Sequence, residues 1–153
     1  MQPFFSDYLK SLEALFGDFS DLLEGLPQEA LDWRPGADTS SLAVLAVHTA
    51  GSTRYRLGEV CLGEPPTRDR PGEFRTADMD APALQAFLQD TVEHARQSLA
   101  QLEMDDLSRI RPMPGRGMEV SIAQALLQAL EHGSQHLGHA QITLQMWQQR
   151  ARS

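Results

Sequence analysis

Apolar residues recur every three or four positions through four stretches of this chain, with polar residues filling the intervals. In the first, Phe5, Leu9, Leu12, Phe16, Phe19, Leu23 and Leu26 alternate steps of four and three, the spacing that lays one apolar stripe along an α-helix. Gly25 and Pro27 end it. The second runs from about Ser41 to Leu62, with Thr39, Ser40 and Ser41 available as N-caps and Gly63, Pro65 and Pro66 as the stop. The third opens at Ala81-Pro82, where proline is tolerated at the start of a helix, and carries Leu84, Leu88, Val92, Ala95, Leu99 and Leu102. The fourth covers about Ser121 to Gln149, with Leu126, Leu130, Gly133, Leu137, Ala140, Leu144 and Trp147 in the same repeat. No stretch has the sustained β-branched alternation of a strand.

Four helices with one stripe each predict an all-α protein, a four-helix bundle. Its connecting loops are long. Segments 27–40, 63–80 and 103–120 exceed the two to eight residues usual between neighbouring helices of a bundle, so they leave room for a crossover and supply material for lids and pocket walls. With no internal repeat or low-complexity run, residues 1–153 read as a single domain.

Composition narrows the function. At 153 residues and 41% apolar content the chain can bury a real core. Its net charge is −8 and it has no basic stripe, which argues against nucleic acid as a partner. Twelve of its thirteen basic residues are Arg, Lys10 being the exception. No run approaches the roughly 18 apolar residues of a membrane span, and Met1-Gln2-Pro3-Phe4-Phe5-Ser6-Asp7 lacks the basic start of a signal peptide, so a cytoplasmic location without membrane association is expected. The single cysteine, Cys61, excludes an internal disulfide and a multi-cysteine zinc site. It lies about 20 Å along the predicted helix from His48 and reads as a packing residue.

The candidate chemistry lies in histidines. His132 and His136 are one helical turn apart on the fourth helix, and His48 lies in the second turn of the second, a combination that suggests a metal site inside the bundle. On a wheel at about 100° per residue with His132 at 0°, His136 falls near 40° and the Leu126, Leu137 and Leu144 stripe near 120°, so the pair flanks the core. Ala125, Ala129 and Thr143 project beside His136, where small side chains leave space for a cavity. His139 falls near −20°, so periodicity alone equally accepts His136 and His139 as the ligand pair. Ser52, Tyr55 and Glu59 share the face of His48 and are candidates for supporting the site or walling it. His94, between Glu93 and Arg96 in sequence neighbourhood, reads as a solvated position, and Trp33 and Trp147 as packing residues.

Three segments together resemble the DinB/YfiT-like family of metal-binding four-helix bundles. Leu26-Pro27-Gln28-Glu29-Ala30-Leu31-Asp32-Trp33-Arg34-Pro35 is similar to the family's stretch after the first helix, a leucine-proline followed by leucine, tryptophan and proline. Ser41-Leu42-Ala43-Val44-Leu45-Ala46-Val47-His48 resembles its second-helix motif, a serine and an aliphatic run ending in histidine. Glu131-His132-Gly133-Ser134-Gln135-His136-Leu137-Gly138-His139 resembles its fourth-helix motif of two histidines four apart. Each piece is short and degenerate; their order and spacing carry the likeness, which covers most of the chain.

The resemblance implies that His48, His132 and His136 bind a divalent metal at one end of the bundle. The position of His139 is typically glutamine in the family, so the histidine here is a departure from the pattern. Three neutral imidazoles suit zinc, the expected ion, with nickel, iron, cobalt and manganese as alternatives. Some relatives are thiol-dependent transferases or isomerases that use a low-molecular-weight thiol such as bacillithiol or mycothiol, which makes a metal-dependent enzyme of thiol S-transferase type, acting on a small-molecule substrate, the leading expectation. Arg109, Arg111 and Arg116 before helix four are then candidates to meet a carboxylate-bearing cosubstrate. One alternative is a metal-dependent hydrolase, for which no catalytic carboxylate accompanies the histidines, since Glu131 points about 100° away from His132. The other is a non-catalytic metal-binding or interaction bundle, to which Phe74, Met79, Met113 and Met118 would lend exposed apolar surface. Relatives of this size are often homodimers, and a homodimer is expected.

Overall fold

A computed structural model describes residues 1–150. Four long helices are present: α1 (Pro3–Leu23), α3 (Leu42–Arg54), α5 (Ala81–Leu99) and α6 (Ile122–Arg150). The loops carry two short helices, α2 (Gln28–Asp32) and α4 (Arg70–Glu73), and a 3-10 turn at Met104–Ser108. Of the three candidate caps on α3, Ser41 takes the role, its hydroxyl accepting from the Val44 amide at 3.2 Å. Asp80 caps α5 in the same way, accepting from the Ala83 amide at 2.9 Å.

α3 does not stop at Arg54. It continues as a π-helix over Tyr55–Leu62, whose wider turns end at Gly63 in a left-handed conformation with φ 74°. The expected second helix is therefore present over its full length, in two geometries.

One expectation about the loops is corrected. Ile110–Met113 (β1) and Met118–Ser121 (β2) form an antiparallel hairpin, with Pro112 opposite Glu119. Each strand has four residues and one contains a proline, too little sequence for an alternating pattern to register. The hairpin is tied to the bundle where the Tyr55 hydroxyl donates to the Pro114 carbonyl at 2.9 Å.

The stripe on α1 is the centre of the core: Phe5, Leu9, Leu12, Phe16, Phe19 and Leu23 are all buried, and each contributes roughly 1.5–3 kcal/mol of apolar transfer. They meet Leu84, Leu88 and Leu99 of α5, Leu42 and Leu45 of α3 and Ile122 and Leu126 of α6 in one cluster. Around the bundle α1 packs on α5, α5 on α3, α3 on α6, and α6 on α1. The pairs α1/α3 and α5/α6, consecutive among the long helices, thus lie on the diagonals, which is why their connections are long. Because α3 and α6 are side neighbours, residues 84 positions apart in sequence share one seam.

Candidate metal centre

The three histidines face one another across that seam. His132 Nε2 lies 3.2 Å from His48 Nε2 and 3.1 Å from His136 Nε2, and all three ring nitrogens fall within 4.8 Å of one another. His48 is 4% exposed, while His132 and His136 are half-buried. Bonds of about 2.1 Å from one ion at tetrahedral or octahedral angles would set ligand nitrogens roughly 3.0–3.4 Å apart. The two short separations, 3.1 and 3.2 Å, fit that spacing, so this donor set is suited to a single divalent cation.

Protonation favours the same role. Burial, followed by the neighbouring His136, pushes His132 down to about 3. Burial, followed by His48 and His139, pushes His136 down to about 4. Both rings are neutral at pH 7 and present lone pairs.

His48 is oriented from behind by a carboxylate. Its Nδ1 donates to Glu73 Oε2 at 2.8 Å, and Arg68 donates to both Glu73 oxygens, at 2.7 and 2.9 Å. An ionised carboxylate can only accept, so the ring proton of His48 sits on Nδ1 and its Nε2 lone pair faces the other histidines. Burial alone would raise the Glu73 pKa; the hydrogen bonds from His48 and Arg68 outweigh it and hold the carboxyl below its ordinary value. The pair has room because residue 51 is glycine: a methyl group there would overlap the Glu73 carboxylate. Phe74 closes the site, its ring centroid 4.7 Å from that of His48.

Neither Glu73 nor Arg68 is among the residues that the sequence pattern singles out. The only local sign is the run Asp69-Arg70-Pro71-Gly72-Glu73, an N-cap and a first-turn proline that announce the single turn α4, with the Asp69 carboxylate accepting from the Gly72 amide at 3.0 Å. Of the residues expected on the face of His48, none hydrogen-bonds to it. Ser52 accepts from Arg56, Tyr55 holds the hairpin, and Glu59 Oε1 accepts from the backbone amides of Thr67 and Arg68 at 3.0 Å each. Glu59 thus fixes the loop that carries Arg68, and Tyr55 and Glu59 do form a pocket wall.

The remaining candidates separate cleanly. His139 is exposed, 5.4 Å from His136 between ring centroids and outside the three-nitrogen group. Beside it a cavity of about 460 Å³ is lined by Leu45, His136, Ile142, Thr143 and Met146; of the small residues expected to leave that space only Thr143 borders it, Ala125 and Ala129 being packed in the core. His94 is not simply solvated: it is partly buried, with Nε2 3.2 Å from Glu64 Oε2. Cys61 is buried, and burial, opposed by Arg111, pushes its thiol up to about 12, which suits packing and not nucleophilic chemistry. Trp33 and Trp147 pack edge to face at 5.8 Å. Of the loop residues expected to lend exposed apolar surface, Phe74 and Met118 are exposed, Phe74 while also packing on His48, and Met113 is buried.

A helical bundle with three histidines gathered between two adjacent helices defines the class. The sequence profile of the DinB superfamily matches residues 11–140, and the chain belongs to that superfamily. Among solved structures it resembles a conserved protein from Enterococcus faecalis, with a TM-score of 0.77, 15% identity and coverage of 94% of this chain and 96% of the other. It also resembles a DinB-like protein from Bacillus cereus, with a TM-score of 0.74, 14% identity and coverage of 91% and 89%. Mycothiol-dependent maleylpyruvate isomerase shares the fold at a TM-score of 0.66 and 14% identity; the match covers 90% of this chain and 62% of the isomerase. A comparison with curated protein sequences finds no significant match.

Proposed function

We propose that the protein is a metal-dependent enzyme of thiol S-transferase type, in which His48, His132 and His136 hold one divalent cation, zinc in the first instance. The observation that carries this reading is the convergence of three imidazole nitrogens, two of whose separations match the spacing of a coordination polyhedron, with His48 locked from behind by Glu73. A cation there would supply Lewis acidity and favour the thiolate form of a bound thiol at neutral pH. The chain's own groups do the rest. Glu73 and Arg68 fix the tautomer and angle of His48, Phe74 excludes water from its face, and the cavity beside His136 has space for an electrophile. In the reaction a sulfur–carbon bond forms as the bond from carbon to the leaving group breaks, that group leaves with its electron pair, and the thiol proton passes to solvent.

The likeness in fold to an enzyme named for its dependence on mycothiol supports a thiol as cosubstrate. A hydrolase would need a free carboxylate to act as base, but both Glu73 oxygens are engaged and Glu131 is exposed. The first test is elemental analysis of untagged protein beside His48→Ala and His136→Ala. Near-stoichiometric metal in the wild type, lost in both variants, is expected. Cobalt-substituted protein should then change its visible spectrum on adding a small thiol, and thiol plus electrophile should turn over. Wild type that takes up none of zinc, nickel, iron or manganese would overturn the reading.

A further inference from the structure

Arginines crowd one wall of the bundle next to the histidine centre. A cleft of about 640 Å³ between the π-helical segment and the hairpin turn is lined by Tyr55, Glu59, Arg68, Arg70, Pro114 and Arg116. The Tyr55 ring carries the guanidinium carbons of Arg68 at 5.3 Å and Arg116 at 5.9 Å, and Arg70 lies 5.0 Å from the ring of Phe74, which itself packs on His48. Aromatic faces thus hold three planar cations in place before any ligand arrives.

Arg68 is paired with Glu73, but among the described residues Arg70 and Arg116 lack the carboxylate partners found elsewhere in the molecule. Arg75, Arg96, Arg109 and Arg150 pair with Asp69, Glu13, Asp106 and Glu29, and Arg34, Arg54 and Arg111 donate to backbone carbonyls. Among the described residues no carboxylate pairs with Arg56, Arg70 or Arg116, although the chain carries a net charge of −8. Arg56 does not line the cleft, but it adds a further unpaired cation on the same helical segment. It is only 8% exposed, it donates to Ser52 through Nη1, and its Nε has no hydrogen-bond partner. Burial, followed by the charges of Arg116 and Arg68, lowers its pKa. A buried cation among other cations is costly unless an anion joins it. Of the acids near the cleft, Glu73 is shared between Arg68 and His48, and Glu59, which accepts from the Thr67 and Arg68 amides, forms no ion pair with an arginine among the described residues.

We propose that this cleft is an oxyanion subsite that receives the carboxylates of the small-molecule cosubstrate reacting at the neighbouring histidine centre. The assignment of a role to the bound anion rests on the metal-enzyme reading above; the binding itself does not. Guanidinium forks match carboxylates in paired hydrogen bonds, and a patch of this size on an acidic protein suits a compact di- or tricarboxylate better than a long polyanion. Of the three arginines picked from the sequence only Arg116 takes part, because Arg109 is paired with Asp106 and Arg111 with the Val60 carbonyl.

The test is calorimetric titration of succinate into the metal-loaded protein and into the same protein after chelation, with neutral succinamide and inorganic phosphate as comparison ligands. Succinate is expected to bind both forms and succinamide neither. The double variant Arg70→Ala/Arg116→Ala, whose sites are exposed, should weaken succinate at least tenfold, and Arg109→Ala, outside the cleft, should leave it unchanged. Phosphate binding more tightly than succinate would overturn the carboxylate assignment. Equal binding by wild type and the double variant, equal weakening in Arg109→Ala, or binding only with metal present would overturn the subsite. Metal content is read separately by elemental analysis, so loss of the metal reading and loss of the subsite are distinguishable.

Discussion

Glu73 is the residue on which the geometry of the candidate centre turns. It is 7% exposed, it receives the Nδ1 proton of His48, and its other partner is the guanidinium of Arg68, so it links a loop to a helix through two charge-assisted contacts. Replacing it by glutamine keeps the shape but leaves one oxygen where there were two and removes the counter-charge of Arg68. Such partners of metal-binding histidines typically contribute 10- to 100-fold in affinity. Glu73→Gln should therefore weaken zinc by about that factor in competition with a chromophoric chelator and destabilise the fold by about 3 kcal/mol. Unchanged zinc affinity would show that His48 needs no orientation from behind. The sequence makes the three histidines visible, because spacing and helix periodicity are local properties. It hides Glu73, whose connection to His48 spans 25 residues and exists only once the 63–80 loop has folded back on α3.

At the scale of elements, the π-helical continuation of α3 arranges the wall beside the centre. Its first residue, Tyr55, anchors the hairpin turn, and its fifth, Glu59, anchors the loop bearing Arg68. The Tyr55 ring is also the surface on which Arg68 and Arg116 lie. Tyr55→Phe keeps that ring and removes only the hydroxyl. It should cost about 1 kcal/mol in unfolding free energy, as one lost hydrogen bond does, and amides of β1 and β2 should exchange with solvent faster than in wild type. Hairpin exchange that matches wild type would place the anchor elsewhere. The long helices were readable from their stripes, with Ser41 among the candidate caps and proline at the start of α5, while the Asp80 cap came from the structure. The hairpin was not, because four-residue strands carry no period, and the π geometry was not, because the same apolar spacing serves both kinds of turn.

Across the whole molecule, the centre joins two helices that the chain visits first and last among those flanking it, so its protonation is coupled to folding. His132 and His136 titrate at about 3 and about 4 in the folded metal-free protein, against an ordinary 6.5. Below pH 6.5 the unfolded chain binds protons that the folded one refuses, so stability falls as pH drops from about 6.5 towards 4. Glu73 adds to this lower down: its carboxyl is depressed from an ordinary 4.5, so its contribution is present above that value and lost below it. The urea midpoint of chelated protein should decline steadily through pH 7.5, 6.0 and 5.0, and His132→Gln/His136→Gln should flatten the decline. A level profile in the wild type would contradict the coupling. The apolar periodicity and the capping residues of the sequence determined the all-α bundle and its long loops, since each helix must bury one stripe whatever its neighbours are. The resemblance in its motifs pointed to the superfamily and to His48, His132 and His136. Which helices are neighbours, that His139 stands outside the cluster, that Glu73 stands behind His48 and that arginines from two loops meet over Tyr55 were decided only by the tertiary structure. These are distances between residues far apart in the chain, and the diagonal crossovers that set them leave no period in the sequence.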